Sequence, residues 1–417
     1  MSASTSSRRW RVVGLLTALA LTPSVLACSG GDGAASPATT TTPADGSSTI
    51  VPHPAGTGAS PTEIDTVPGM PPVVDPANLY SETTAGKLQP WLAGVPLRVY
   101  VPNGRSNDVT VIDVATKQVI DTFPVDAEPQ HVVPSYDLRT LWVLSNQGYS
   151  LTAIDPTTGK PVATLPVEDP YNLYFTPDGS EAIVVAEALR RLDFRDPHTM
   201  ALHSSIEVPD CAGINHIDFS VDGRYLIATC EFAGRLAKID LLERRVVGML
   251  ELSGGGMPQD IRISPDGRTF YVAEMMRNGV YLIDAASFSE AGFVETGVGA
   301  HGLYPSRDAT KLYVINRGSN RVPGPPRGPG SVAVLDLATN QVVERWEVPG
   351  GGSPDMGNLT PDGRELWLGG RYDDEVYVFD TTTGALAARI PVGKGPHGLT
   401  VWPQPGRYSL GHTGNMR

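Results

Sequence analysis

Eight histidines are spread over the 417 residues, and four of them, His131, His216, His301 and His397, fall at one position of a pattern that recurs along the chain. Asp260 takes the same position between the second and third of these. Glu187, Glu231 and Glu274 recur at a second position, each at or just beyond the end of an apolar stretch. Imidazole and carboxylate are the donors that borderline divalent metals take. On that chemistry His216, Glu231, Asp260, Glu274 and His301, from neighbouring repeats, form the candidate metal set. The same groups could hold a small polar ligand. Arg190, Arg191, Arg235, Arg277, Arg317 and Arg371 follow close behind and could pair its acid groups. A third reading is that acids and guanidiniums pair only with one another around a wet opening. The residues alone leave all three open.

Cys211 and Cys230 are the only cysteines besides Cys28. An even pair in an exported chain reads as a disulfide, and closing so short a loop contributes roughly 3 kcal/mol in the chain-entropy model. A thiolate beside His216 is the alternative. Gly-x-Ser-x-Gly, His-Glu-x-x-His, Walker and dinucleotide motifs do not occur, so no catalytic residue is assigned and the reading leans away from an enzyme.

The elements that position these residues come from a repeat of about 42 residues. One unit runs apolar strand, Pro-Asp-Gly turn, second strand, loop, Val-x-Val-Ile-Asp strand, Thr-Gly turn and fourth strand. Asp-Gly turns fall at Asp178, Asp222, Asp266 and Asp362, with degenerate copies at Asp137 and Asp308. The longest spacing carries a Pro- and Gly-rich insertion, Gly318 to Gly330. Period-2 alternation of β-branched residues makes these segments strands. Gly supplies the positive φ that tight hairpins need. Four antiparallel strands per unit is one blade of a propeller.

Six complete units span about 129–393. Residues 98–125 supply three strands of a seventh, and Pro396 to Trp402 supply its missing first strand. The fold class is therefore all-β, a seven-bladed propeller closed by pairing its last strand with its first blade, which leaves no free edge. In that fold the start of each innermost strand lines the mouth of the channel. The four histidines, Asp260 and Asp355 belong to this ring, and Glu187, Glu231 and Glu274 stand at the same face, here called the top.

Ser264 to Ala273 (SPDGRTFYVA) and Val392 to Gly398 (VGKGPHG) carry a resemblance to the YVTN-repeat, YncE-like propellers, which are related to the haem d1 propeller of cytochrome cd1 nitrite reductase. The resemblance covers residues 97–403. It implies the fold and says little about activity. It also admits a d1-type haem with histidine ligands, or lactonase- or lyase-like chemistry, in the channel. The chain departs from the d1 propellers in having seven blades rather than eight, and it has no Cys-x-x-Cys-His for a c-type haem.

Residues 1–27 have the charged start and short apolar run of a signal peptide. Val25-Leu26-Ala27-Cys28 resembles a lipobox, so Cys28 is expected to be lipidated and to hold the protein on the outer face of a bacterial cytoplasmic membrane. Sec and twin-arginine export both remain open. Residues 28–75 are rich in Ser, Thr, Pro and Gly and read as a disordered tether. Residues 76–96 form an N-terminal extension packed outside the propeller, and residues 404–417 form a tail that either caps the channel or hangs free. The formal net charge of −13 argues against nucleic acid. The expected partners are the membrane, through Cys28, and a small ligand or envelope protein, with the chain itself a monomer. No cofactor is firmly expected.

Overall fold

Alternating apolar residues and Asp-centred turns fold the repeats into seven four-stranded antiparallel blades, one of which gains two further strands from the tail. The computed structural model describes residues 63–412 and 414–417. The expected signal peptide, Cys28 and most of the expected tether lie outside the described residues. No helix among the described residues is long and apolar enough to cross a membrane.

The turns show why Asp recurs. Ser220 Oγ donates to Asp222 at 2.7 Å, Ser264 Oγ to Asp266 at 2.6 Å and Thr360 Oγ1 to Asp362 at 2.6 Å. The following glycines sit at φ 72–75°, a conformation they reach without a Cβ penalty. The innermost strands of blades two to seven are Pro129–Pro134, Pro170–Phe175, Ile214–Phe219, Pro258–Ile263, Ala300–Pro305 and Pro354–Leu359. They are almost wholly buried, whereas outermost strands such as Lys160–Pro166 face solvent. Apolar clusters fill the seams between neighbouring sheets. Tyr174, Phe194, Ile217 and Phe219 join blades three and four in this way.

Ring closure is as expected. Thr400–Trp402 pairs with Arg98–Asn103 in the register Tyr100 to Thr400, Val99 to Val401 and Arg98 to Trp402. It supplies blade one with its innermost strand.

One boundary differs from expectation, and one open point is closed. Residues 63–75, read as part of the tether, are ordered along the bottom of the propeller. The Val67 amide donates to Asp222 O at 2.9 Å and Asp65 pairs with Arg224 at 2.7 Å. Low hydrophobicity misled here, because one buried valine and a few polar contacts suffice to hold a strap against a preformed surface. The tail, left open above, is docked. Ser409–Gly411 pairs at Gly411 with Tyr174 on the channel edge of blade three, and Asn415–Met416 folds back on it. The tail thus enters the channel from below. The extension at 76–96 packs on the same bottom face, with the Tyr80 hydroxyl donating to Ile263 O at 2.7 Å.

Candidate functional site

A recurring irregularity aims side chains into the channel. In blades two to seven the innermost strand slips register once near its start, at Pro129/His131, Pro170/Asn172, Ile214/Ile217, Pro258/Ile261, Ala300/Gly302 and Pro354/Gly357. Such a bulge leaves one residue out of the ladder and redirects its neighbours. His131, Asn172, His216, Asp260, His301 and Asp355 all lie at or within these slips. His397 comes from the segment that closes the ring.

The four ring histidines are buried and come together at the centre with a fifth, His412, delivered by the tail. Ring centroids are 4.6 Å apart for His216 and His412, 4.8 Å for His131 and His397, 5.1 Å for His131 and His412, and 5.8 Å for His301 and His397. Burial depresses all five. His131 falls to about 3 and His301 to about 4, and His216, His397 and His412 lie well below the usual histidine value. They are neutral imidazoles, the form that ligates metals. Both ring nitrogens of His131 and His397, and Nε2 of His216 and His412, have no hydrogen-bond partner.

Two carboxylates divide this set. His216, Asp260 and His412 form one cluster and His301, Asp355 and His397 another, the donor atoms of each lying within 4.8 Å of one another. Asp260 Oδ1 is 3.6 Å from His412 Nε2 and 3.9 Å from His216 Nδ1. It also accepts the Ile261 amide, while Oδ2 accepts that of Leu303, each at 2.9 Å. Burial raises Asp260 to about 6 despite Arg262 nearby. Asp355 is clamped by Arg317 Nε and Nη2, both at 2.7 Å, with Arg371 at 3.6 Å, His301 at 3.0 Å and His397 at 3.4 Å. Burial alone would raise Asp355, but Arg317 beside it outweighs this and holds the carboxyl well below the usual range.

The expected metal set is corrected accordingly. His216 and Asp260 do come together, but His301 belongs to the other cluster. Glu231 and Glu274 join neither. Glu231 accepts from Asn215 Nδ2 at 2.8 Å, and Glu274 accepts the Met257 and Met276 amides at 2.7 and 3.0 Å, tying down its own hairpin. Sharing a face did not mean sharing a direction. Glu187 stays half-buried at the rim. Burial, then the charges of Glu231, Asp169 and Glu128, push it up to about 8. Two site residues were missed. Asp355 stands on the aligned ring beside His301 and His397, which was the available signal. His412 lies outside every repeat and had none.

Cys211 and Cys230 form the disulfide, with Cα atoms 4.7 Å apart. The thiolate alternative therefore falls, and the bridge braces the hairpin next to His216. The 318–330 insertion is pinned across the top of blade seven, where Arg327 pairs with Glu375 at 2.7 Å and the Tyr372 hydroxyl donates to Val322 O.

Comparison with known proteins agrees with this architecture. Residues 253–405 match the family model described as YNCE-like beta-propeller. No curated protein matches the sequence. Among solved structures, Pseudomonas aeruginosa periplasmic gluconolactonase PpgL shares 18% identity over 74% of this chain and 99% of its own, with a TM-score of 0.60. The dihydro-heme d1 dehydrogenase NirN in complex with DHE shares 19% over 75% and 77%, with a TM-score of 0.56. Kuenenia stuttgartiensis hydrazine synthase shares 21% over 64% and 87%, with a TM-score of 0.55. At these identities the likeness is one of fold.

Proposed function

We propose that this YNCE-like propeller is an exported, lipid-anchored binding protein that holds a small ligand at the histidine-lined centre of its channel. One observation carries the reading: five neutral imidazoles meet there, and most of their ring nitrogens lack partners. Burying such polar groups without partners costs roughly 1–3 kcal/mol each, a cost that a ligand bonded to them offsets. The tail fills the approach from below, so entry is from the top, where Arg371 remains partly exposed against Asp355. Export and anchoring through Cys28 rest on the signal-like start and the Val25-Leu26-Ala27-Cys28 motif.

The size of the ligand is limited. Imidazole centroids 4.6–6.2 Å apart leave room for an ion or a small oxyanion. A tetrapyrrole does not fit between them with the tail docked, so the haem d1 chemistry of NirN is not carried over. PpgL, a periplasmic gluconolactonase, has a similar propeller fold, but in this ring no nucleophile and base are paired among the described residues.

The test is a native mass spectrum of the full-length protein extracted from its own membrane. A retained mass that disappears in a His131→Ala/His397→Ala double variant, together with lipid on Cys28, supports the reading. A lipidated protein with no retained mass, which also fails to bind divalent metals, phosphate or gluconate in calorimetry, would sink the binding role. An unlipidated Cys28 would sink the anchor.

A further inference from the structure

We propose that His216, Asp260 and His412 bind one divalent first-row transition-metal ion, and that the tail carrying His412 is the closure of that site. The inference rests on the channel being a binding centre, and adds which ligand it takes and where.

The donors come from three separate places in the fold: blade four, blade five and the tail. Two imidazoles and one carboxylate within 4.8 Å of one another are a donor set for Zn²⁺, Fe²⁺, Co²⁺ or Mn²⁺ and leave further coordination positions open. Calcium, which takes six to eight oxygens, is not served. Both imidazoles are completely buried, and neither Nε2 has a hydrogen-bond partner. Asn172 fixes their protonation. Its carbonyl oxygen accepts the Leu173 amide at 3.0 Å, which turns its N–H donors toward Nδ1 of His216 at 3.2 Å and of His412 at 3.3 Å. These contacts put each ring's lone pair on Nδ1, which on His216 is the nitrogen facing Asp260; on His412 the nitrogen facing Asp260 is Nε2, so ligation through it moves the ring proton to Nδ1.

Charge selects this cluster over its counterpart. Asp355 faces two guanidiniums, so its cluster carries excess positive charge before any ion arrives. Around Asp260 the balance is even. Arg262 approaches Oδ2 at 3.9 Å and Arg417 pairs with Asp218 at 3.1 Å, two cations for two carboxylates. Asp260 Oδ1 is the oxygen turned toward the imidazoles.

The tail is built to place His412. Its amide donates to Leu173 O at 2.9 Å, and Asn415 and Arg417 both donate to Asp218 at 3.1 Å. Gly411 sits at φ 102°, and a Cβ there would lie 2.4 Å from Leu173 O. A metal held by His412 therefore stabilises the docked tail, and a docked tail raises metal affinity, as linkage requires.

The test uses the full chain, stripped with chelator and titrated with Co²⁺ and Zn²⁺. Stoichiometry is read by elemental analysis and geometry by the visible Co²⁺ spectrum. One ion per chain is expected, with affinity falling at least about 100-fold in His412→Ala and in His216→Ala. The exposed His203→Ala is the control and should bind as wild type. His412 lies outside the blades, so metal-free unfolding of His412→Gln checks that the ring is intact. Carboxypeptidase should clip the metal-free tail faster than the loaded one. Metal loss greater in His301→Ala or His397→Ala than in His412→Ala overturns the assignment. So does a chain that binds phosphate or retains another mass but takes no metal, and the binding role then survives. A chain that binds nothing overturns both.

Discussion

Asp260 and Asp355 each stand between two histidines on bulged inner strands, yet their surroundings are opposite. Asp260 is satisfied by backbone amides and keeps an oxygen facing imidazoles, whereas Asp355 is gripped by Arg317 and approached by Arg371. The difference traces to the hairpin beyond each second strand. Blades three, four and five place Glu187, Glu231 and Glu274 there, and blades six and seven place Arg317 and Arg371. The channel therefore has an acidic half and a basic half. Identical donor triplets thus stand in different local charge because an unrelated loop sets it.

The largest expected effect tests this directly. Asp355→Ala leaves the buried Arg317 without its counter-ion and should cost about 3–5 kcal/mol. Asp260→Ala leaves two amides unsatisfied and should cost less, about 1–3 kcal/mol. Denaturant midpoints compare the two, and an equal or reversed order would end the distinction. Next, Cys211→Ser/Cys230→Ser should lose about 3 kcal/mol. Hydrogen exchange should speed up around His216 and not around His301, and uniform loosening would mean the clusters are mechanically one.

Glu187 shows what burial without a cation does. Its folded-state value is about 8 against an ordinary 4.5. Between these values the folded state keeps a proton that the unfolded chain has released. Stability is thus full below about pH 4.5 and falls as pH rises toward 8. Glu187→Gln should match wild type near pH 4 and exceed it by a margin that grows as pH rises toward 8. A pH-independent difference would contradict the assignment. The smallest effect belongs to Arg371→Ala. Its partly exposed side chain sits 3.6 Å from Asp355, so the loss should stay below about 1 kcal/mol. A larger loss would show that Arg371, and not Arg317, holds Asp355.

Much of this was legible in the residues. The Asp-Gly turns and period-2 strands carry the blade, and counting the leftover strands closes the ring. The disulfide followed from the even cysteine pair, and the histidine ring from repeat alignment. Alignment places a residue on a face but not its direction, so Glu231 and Glu274 were grouped with His216 although Glu231 bonds Asn215 and Glu274 the amides of its own hairpin. The bulges that turn His216 and Asp260 inward arise where each innermost strand pairs with the second strand of its own blade, and no local pattern marks them. His412 was hidden for a plainer reason: the tail has no repeat partner, and its docking depends on an inner edge that exists only once blade three is folded.

The position of that tail has a consequence in time. In chain order it follows the strand that closes the ring, and it threads a space that seven finished blades enclose. The His216–Asp260–His412 cluster therefore cannot exist in any partly folded chain. Whatever the cluster binds is met by a completed ring and not by a folding intermediate.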